Sequence, residues 1–216
     1  MHNVELVHVT PDAESLIAYM ARVSNPANQD NDNYTGLIKY LIKHKHWSPF
    51  EMVNMCVQID TTRSVASQIL RHRSFSFQEF SQRYAQVVNT PQLPNLRRQD
   101  TKNRQNSIDD LDPFLTQQFE MRTQDLYKQS LDLYTDMLDH GVAKECARDI
   151  LPLSTPTKLY MNGTLRSWLH YTDLRCDNGT QYEHKLIADN VKSLIQQQFP
   201  IVYNAMFDVS LPSTSS

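Results

Sequence analysis

Glycine is almost withheld from this chain. Gly36, Gly141, Gly163 and Gly179 are the only four in 216 residues, about 2% against a usual ~7%. No two of them fall within one short loop. Neither G-x-G-x-x-G nor G-x-x-x-x-G-K-[ST] can therefore be written, and both devices need clustered glycines to bring backbone N–H groups onto phosphate. Any nucleotide must be gripped by side chains. Arginine suits that task, because its planar fork pairs donors with phosphate oxygens and stays charged.

The rest of the composition narrows the class. Twenty-one Lys and Arg against twenty-four Asp and Glu leave a net charge of −3, so no global positive field attracts nucleic acid or an anionic membrane. Charged residues at 21% and hydrophobic ones at 40% describe a folding chain, and its length favours one domain over 1–216 rather than two. No apolar run nears the ~18 residues of a bilayer span, and the start Met1-His2-Asn3-Val4-Glu5 lacks a basic or apolar leader. A soluble, unexported protein is expected. Cys56, Cys146 and Cys176 are odd in number, far apart and free of any Cys-x-x-Cys pattern, which fits reduced packing thiols in the cytoplasm.

Along the chain, Val4–Val9 reads as a strand. Thr10-Pro11-Asp12 supplies a cap, a first-turn proline and a carboxylate for a helix over 13–23. Leu37, Tyr40, Leu41 and His44 keep helical spacing, and Val53, Met55, Val57 and Ile59 alternate with Met52, Asn54, Cys56, Gln58 and Asp60 as a strand over 52–60. Thr61-Thr62 then caps a helix over 64–70. Residues 89–112 form a polar excursion, expected to be mobile and to cover substrate. A long helix runs from Pro113 to Gly141, a second lies over 143–150, an unassigned element precedes Asn162, and helices follow over 165–174 and 182–199 before a fraying Ser/Thr tail. Strands gathered early and helices late favour α+β: one mixed β-sheet packed with several long helices.

Chemistry concentrates just past the third helix. Arg71, His72, Arg73, Glu79, Ser81 and Arg83 fall within thirteen positions, interleaved with Phe75, Phe77, Phe80 and Tyr84. Three arginines so close can hold a pair of phosphates despite the acidic whole. If Gln78–Tyr84 is extended, Glu79, Ser81 and Arg83 share one face. A solvated charged turn is the alternative.

Arg-His-Arg, seven residues, Ser, one residue, Arg resembles the signature of the flavin-dependent thymidylate synthases. His46-Trp47-Ser48-Pro49-Phe50-Glu51 is similar to that family's His-x-Ser/Thr-Pro-Phe-Glu segment, and Ala147-Arg148-Asp149-Ile150-Leu151-Pro152 to its Ala-Arg-x-x-Leu-Pro. Arg166-Ser167, Leu174-Arg175 and Gln181-Tyr182-Glu183 follow in order, so the resemblance covers about Leu37 to Ala188.

That resemblance implies a homotetramer with sites shared between subunits, making dTMP from dUMP. Methylenetetrahydrofolate would give the carbon, and NADPH the reducing hydride by way of FAD. It places Arg71, His72, Arg73, His46, His170 and Glu79 on the flavin, with His170 standing where relatives often carry Asn. Gln68, Glu79, Ser81, Arg83, Arg148 and Arg175 would hold the nucleotide, Arg175 and Arg148 being the catalytic candidates. Cys176-Asp177-Asn178-Gly179-Thr180 lacks a histidine that some members carry, so no role transfers to it. Two other classes compete. His44-x-His46 with Asp109-Asp110 would suit a metal-dependent nucleotide hydrolase, but no HExxH or Cys/His cluster supports it. Arginines between aromatics would suit an RNA-binding module, against which stand the net charge and the absent RNP motif.

Overall fold

In a computed structural model describing residues 2–207, the chain forms six strands and eight helices. The strands are β1 (Asn3–Val9), β2 (Asn54–Thr62), β3 (Ser76–Glu79), β4 (Arg98–Gln99), β5 (Ser107–Ile108) and β6 (Pro156–Thr164). The helices are α1 (Ala13–Ala21), α2 (Thr35–Lys43), α3 (Arg63–Ile69), α4 (Pro113–Asp139), α5 (Lys144–Ala147), α6 (Leu165–Arg175), α7 (Tyr182–Gln198) and α8 (Pro200–Phe207).

The alternation over 52–60 becomes the sheet's inner face. Met55, Val57 and Ile59 on β2 are fully buried, as are Leu159 and Met161 on its neighbour β6, whereas Tyr160 between them is exposed. Strand order is β1-β2-β6-β3 with every pairing antiparallel. The α+β class holds, but the sheet is antiparallel throughout where a mixed one was expected. It needs no parallel crossover, because its helices gather over one core instead of alternating with the strands. The element before Asn162 proves to be the inner strand β6, while the other five strands fall in the first half of the chain, as expected.

Local departures have local causes. Thr10 does not cap α1: its Oγ1 accepts from the Asn54 N–H at 2.9 Å, tying the end of β1 to β2. Asp12, in the left-handed region at φ 49°, occupies the cap position without a side-chain bond. Thr62 likewise makes no side-chain cap bond, its hydroxyl being shared with that of Ser64 at 2.9 Å. Asp112 caps α4 by accepting from Leu115 N at 3.0 Å, and Gly141 just beyond it takes φ +81°, a helix-terminating conformation glycine adopts without strain. The polar excursion contains the β4–β5 hairpin. Arg97 ties its root to α7 through Glu183 at 2.8 Å, and Arg98 forks onto Asp110. Helix α8 was not foreseen; Glu14 Oε1 accepts from its Val202 N–H at 2.7 Å. The Ser/Thr tail lies outside the described residues. Among those described, no helix is long and apolar enough to cross a membrane.

Gly163 on β6 is required by packing. A Cβ there would come within 2.7 Å of Phe75 Cε1, and Phe75 is itself wedged at 4.6 Å between ring centroids against Trp168. Gly163→Ala is expected to cost about 1–3 kcal/mol through overpacking. Urea denaturation followed by circular dichroism checks this, and an unchanged midpoint would mean that Phe75 has room to yield.

Candidate active site

The three helical turns of α6 carry a buried face into a polar end. Trp168, Tyr171, Thr172 and Arg175 recur at three- and four-residue spacing; the first three are fully buried and Arg175 closes the helix. There it meets the turn after α3. Arg175 Nε donates to His72 Nε2 at 3.0 Å, so that nitrogen is an unprotonated acceptor. Burial pulls the His72 pKa down to about 4, helped by the nearby charges of Arg175 and His170. Burial followed by Arg175 and His72 pulls His184 down to about 3. Both rings are therefore neutral near pH 7.

Arg71 and Arg73 flank His72 and are exposed, with no side-chain hydrogen bond or ion pair to any described residue. These are free guanidinium groups. Gln68, one turn earlier on α3, donates from Nε2 to Gln181 Oε1 at 2.5 Å. His170 is exposed on α6, and His46 is exposed after α2 with its ring 5.8 Å from that of Tyr40.

The remaining candidates lie elsewhere. Strand β3 stops at Glu79, and Ser81–Tyr84 folds as a turn whose Ser81 carbonyl accepts from Tyr84 N and Ala85 N at 3.1 Å each. Glu79, Ser81 and Arg83 thus do not share an extended face. Glu79 Oε1 is already bound by Arg63 Nη1 at 2.8 Å and Thr157 Oγ1 at 3.0 Å. Arg83 pairs with Glu145 at 3.1 Å on a surface where its side chain is 58% exposed, so the pair is weak. Arg148 follows α5, with Nε 3.9 Å from Asp149, too far for a hydrogen bond. No hydrogen bond or ion pair among the described residues joins the Ser81, Arg83 and Arg148 group to the His72 and Arg175 group.

Sequence reading missed several partners. Arg63, Tyr171 and His184 had no signal, since each is paired across the fold. Glu51 and Arg166 were quoted within separate motifs, and the structure pairs them. A cleft of about 780 Å³ is lined by Arg97, Arg104, Gln181, Tyr182 and Lys185 among others, with none of Arg71 to Arg83 in its wall. Among the described residues, no three His, Cys, Asp or Glu side chains gather as a metal site. His44 and His46 stand with ring centroids 6.1 Å apart.

Fold and site define an α+β protein that carries guanidinium groups, chemically suited to pair with anions, at helix ends and turns. The chain belongs to the thymidylate synthase complementing protein family, whose model matches residues 5–201. It is 53% identical over 195 residues to the probable flavin-dependent thymidylate synthase of Paramecium bursaria Chlorella virus 1, with 90% of each chain covered. It is 52% identical to the flavin-dependent thymidylate synthase of Synechocystis sp. over 193 residues, 89% of each chain. Its fold matches the crystal structure of a UMP/dUMP methylase, PolB from Streptomyces cacaoi, bound with 5-Br dUMP. That match has a TM-score of 0.82 at 27% identity and covers 95% of this chain and 94% of the other.

Proposed function

We propose that this chain, acting as one domain, methylates dUMP to dTMP in a flavin-dependent reaction, with methylenetetrahydrofolate as carbon donor and NADPH as reductant. The carrying observation is the helix-end cluster: two unpaired arginines flank a neutral histidine bonded to a third arginine, in a chain sharing about half its residues with proteins named flavin-dependent thymidylate synthase.

The donor set fits FAD. Arg71 and Arg73 have no acidic neighbour to neutralise them, so both are available to a pyrophosphate. His72, His46, His170 and Glu79 are the other residues proposed to meet the flavin, which when bound carries the reducing equivalents. Arg83, Ser81 and Arg148 suit a nucleotide phosphate: the Ser81 hydroxyl is uncommitted, and the exposed Glu145 yields Arg83 at little cost. Gln68 and Glu79 complete the proposed nucleotide contacts.

The chemistry requires C5 of uracil to become a nucleophile, which builds negative charge on a ring carbonyl oxygen. Arg175 has its inner Nε spent on His72 and its terminal nitrogens without a partner among the described residues. It can meet that oxygen without reorganising. Arg148 is the second candidate for countering charge on the nucleotide.

Two features support a homotetramer with shared sites. The two cationic groups are unconnected within one chain. Helix α4 buries only Tyr134 while Leu115, Phe119, Leu126 and Leu133 stand exposed at four- and seven-residue spacing, an apolar stripe that a second copy would cover. Free Cys56, Cys146 and Cys176 accord with a cytoplasmic setting.

An anaerobic assay of labelled dUMP, omitting FAD, NADPH or methylenetetrahydrofolate in turn, tests the reading. Loss of dTMP on each omission is expected, and dTMP formed without flavin would sink it. Two variants separate the groups. Arg73→Ala should lose FAD through gel filtration while Arg83→Ala keeps FAD and weakens dUMP binding by about tenfold or more, the worth of one charge-assisted contact. Equal nucleotide affinity in parent and Arg83→Ala would remove Arg83 from the phosphate.

A further inference from the structure

His184 on α7 is fully buried, and its Nδ1 finds no hydrogen-bond partner among the described residues. An unpaired buried polar atom costs about 1–3 kcal/mol, so packing alone would favour an aliphatic side chain here. The roles assigned above do not use this histidine. Its Nε2 lies 3.1 Å from the Tyr171 hydroxyl, and the two rings pack at 5.8 Å. Tyr171 in turn stands edge-on to His72, with centroids 5.0 Å apart and planes at 78°. His184 meets the same ring at 6.1 Å and 84°. Phe75, at 6.4 Å and 86°, supplies a further wall.

His72 therefore sits in an aromatic box whose side-chain polar contact is the N–H of Arg175. To accept that hydrogen bond, the His72 ring must carry its proton on Nδ1. The charged or titratable groups acting on it are Arg175 and His170, with His184 alongside, and each adds positive charge or none. The Arg175 N–H selects this tautomer only while the ring stays in place, and among the described residues no carboxylate anchors the ring, so the box has to.

We propose that Tyr171 and His184 are positioning residues: their hydrogen bond fixes the His72 ring in the place and tautomer that receive Arg175 Nε–H, and so aims the Arg175 guanidinium at the nucleotide. The aim matters only if Arg175 faces the uracil, so the inference rests on the function proposed above. Burial raises the Tyr171 pKa, which keeps its hydroxyl protonated and available to the histidine. Without that hydroxyl, His184 would hold two unpaired ring nitrogens and would turn or shift, moving the wall against which His72 rests.

The test compares Tyr171→Phe, His184→Leu and His184→Gln in the FAD-loaded protein. Nitrogen NMR of labelled histidine reads the His72 tautomer, with His72→Gln as the assignment control. The parent is expected to show one Nδ1–H form, and Tyr171→Phe and His184→Leu a mixture. In these two variants kcat for dUMP methylation should fall about tenfold, as for a small misplacement of a catalytic group. KM for dUMP and FAD retention should stay within about twofold, since neither residue touches a ligand. His184→Gln, which keeps a hydrogen-bonding group for Tyr171, should recover most of the lost kcat. An unaltered His72 tautomer in both damaging variants overturns the proposal, as does a glutamine variant no better than leucine. Should His184→Leu fail to fold, Tyr171→Phe, which removes a single oxygen, decides. Should the parent make no dTMP, the functional reading fails, and the tautomer still reports whether the pair governs His72.

Discussion

Replacing Arg175 by alanine is expected to lower kcat for dUMP methylation by about 10²–10³-fold, the usual effect of removing one preorganised donor from a developing oxyanion. The size follows from how the side chain is held. An arginine with five N–H donors can spend Nε on His72 and still present two terminal nitrogens outward, all in one plane. Alanine removes the donors and leaves His72 Nε2 without its partner. Arg175→Lys should rescue little, because an ammonium that reaches His72 cannot also lie beside a carbonyl oxygen in a fixed orientation. Steady-state kinetics with dUMP check this, alongside FAD retention. A variant whose kcat stays within threefold of the parent would take Arg175 away from the reacting ring.

The loss should also depend little on pH around neutrality. His72 is held down to about 4 chiefly by burial, so between pH 6 and 8 it stays neutral and the Arg175 contact persists. Only as pH falls toward that value would His72 take a proton, lose its acceptor role and repel Arg175. A kcat limb near pH 6.5 that vanished in His72→Gln would mean the ring is charged in the working enzyme, contrary to this geometry.

Legibility in the sequence followed the range of the interactions. Strand β2 was readable because one face of it is buried, so polarity alternates residue by residue. Helix α4 was readable from its ends, Pro113 and Gly141, which satisfy local backbone needs; the Asp112 cap was not. β6 carries the same alternation, Lys158, Tyr160 and Asn162 against Leu159 and Met161, but only over five residues between Pro156 and Gly163, both of them residues that weaken a strand reading, although here the glycine makes room for Phe75. At the site, the Arg71-His72-Arg73 cluster was visible as a local density of charge. The bond from Arg175 to His72, 103 residues apart in the chain, was not. The supposed shared face of Glu79, Ser81 and Arg83 failed because period-two reasoning assumes a strand, and backbone bonds to the Ser81 carbonyl turn the chain instead. A turn there frees Arg83 from Glu79 and sends it to α5. Family resemblance named the residues without giving this arrangement.

Trp168→Ala is expected to bring the largest loss of stability, about 3–5 kcal/mol. The indole is fully buried, packs at 4.6 Å on Phe75 and at 5.8 Å on Tyr171, and donates from Nε1 to the Met55 carbonyl at 2.9 Å. Alanine would open a cavity between sheet and helix and remove the indole N–H from that carbonyl. Trp168→Phe separates the two contributions: it keeps most of the ring and loses the donor, so about 1–3 kcal/mol should go. Urea unfolding followed by far-ultraviolet circular dichroism measures both without depending on indole fluorescence. The damage should also reach the chemistry. Phe75 and Tyr171, the rings Trp168 supports, are two walls of the His72 box, so Trp168→Phe should lower kcat even where the protein remains folded. If it unfolds earlier yet turns over dUMP at the parent rate, then the box does not transmit packing to Arg175, and the helix end alone sets the aim of the guanidinium.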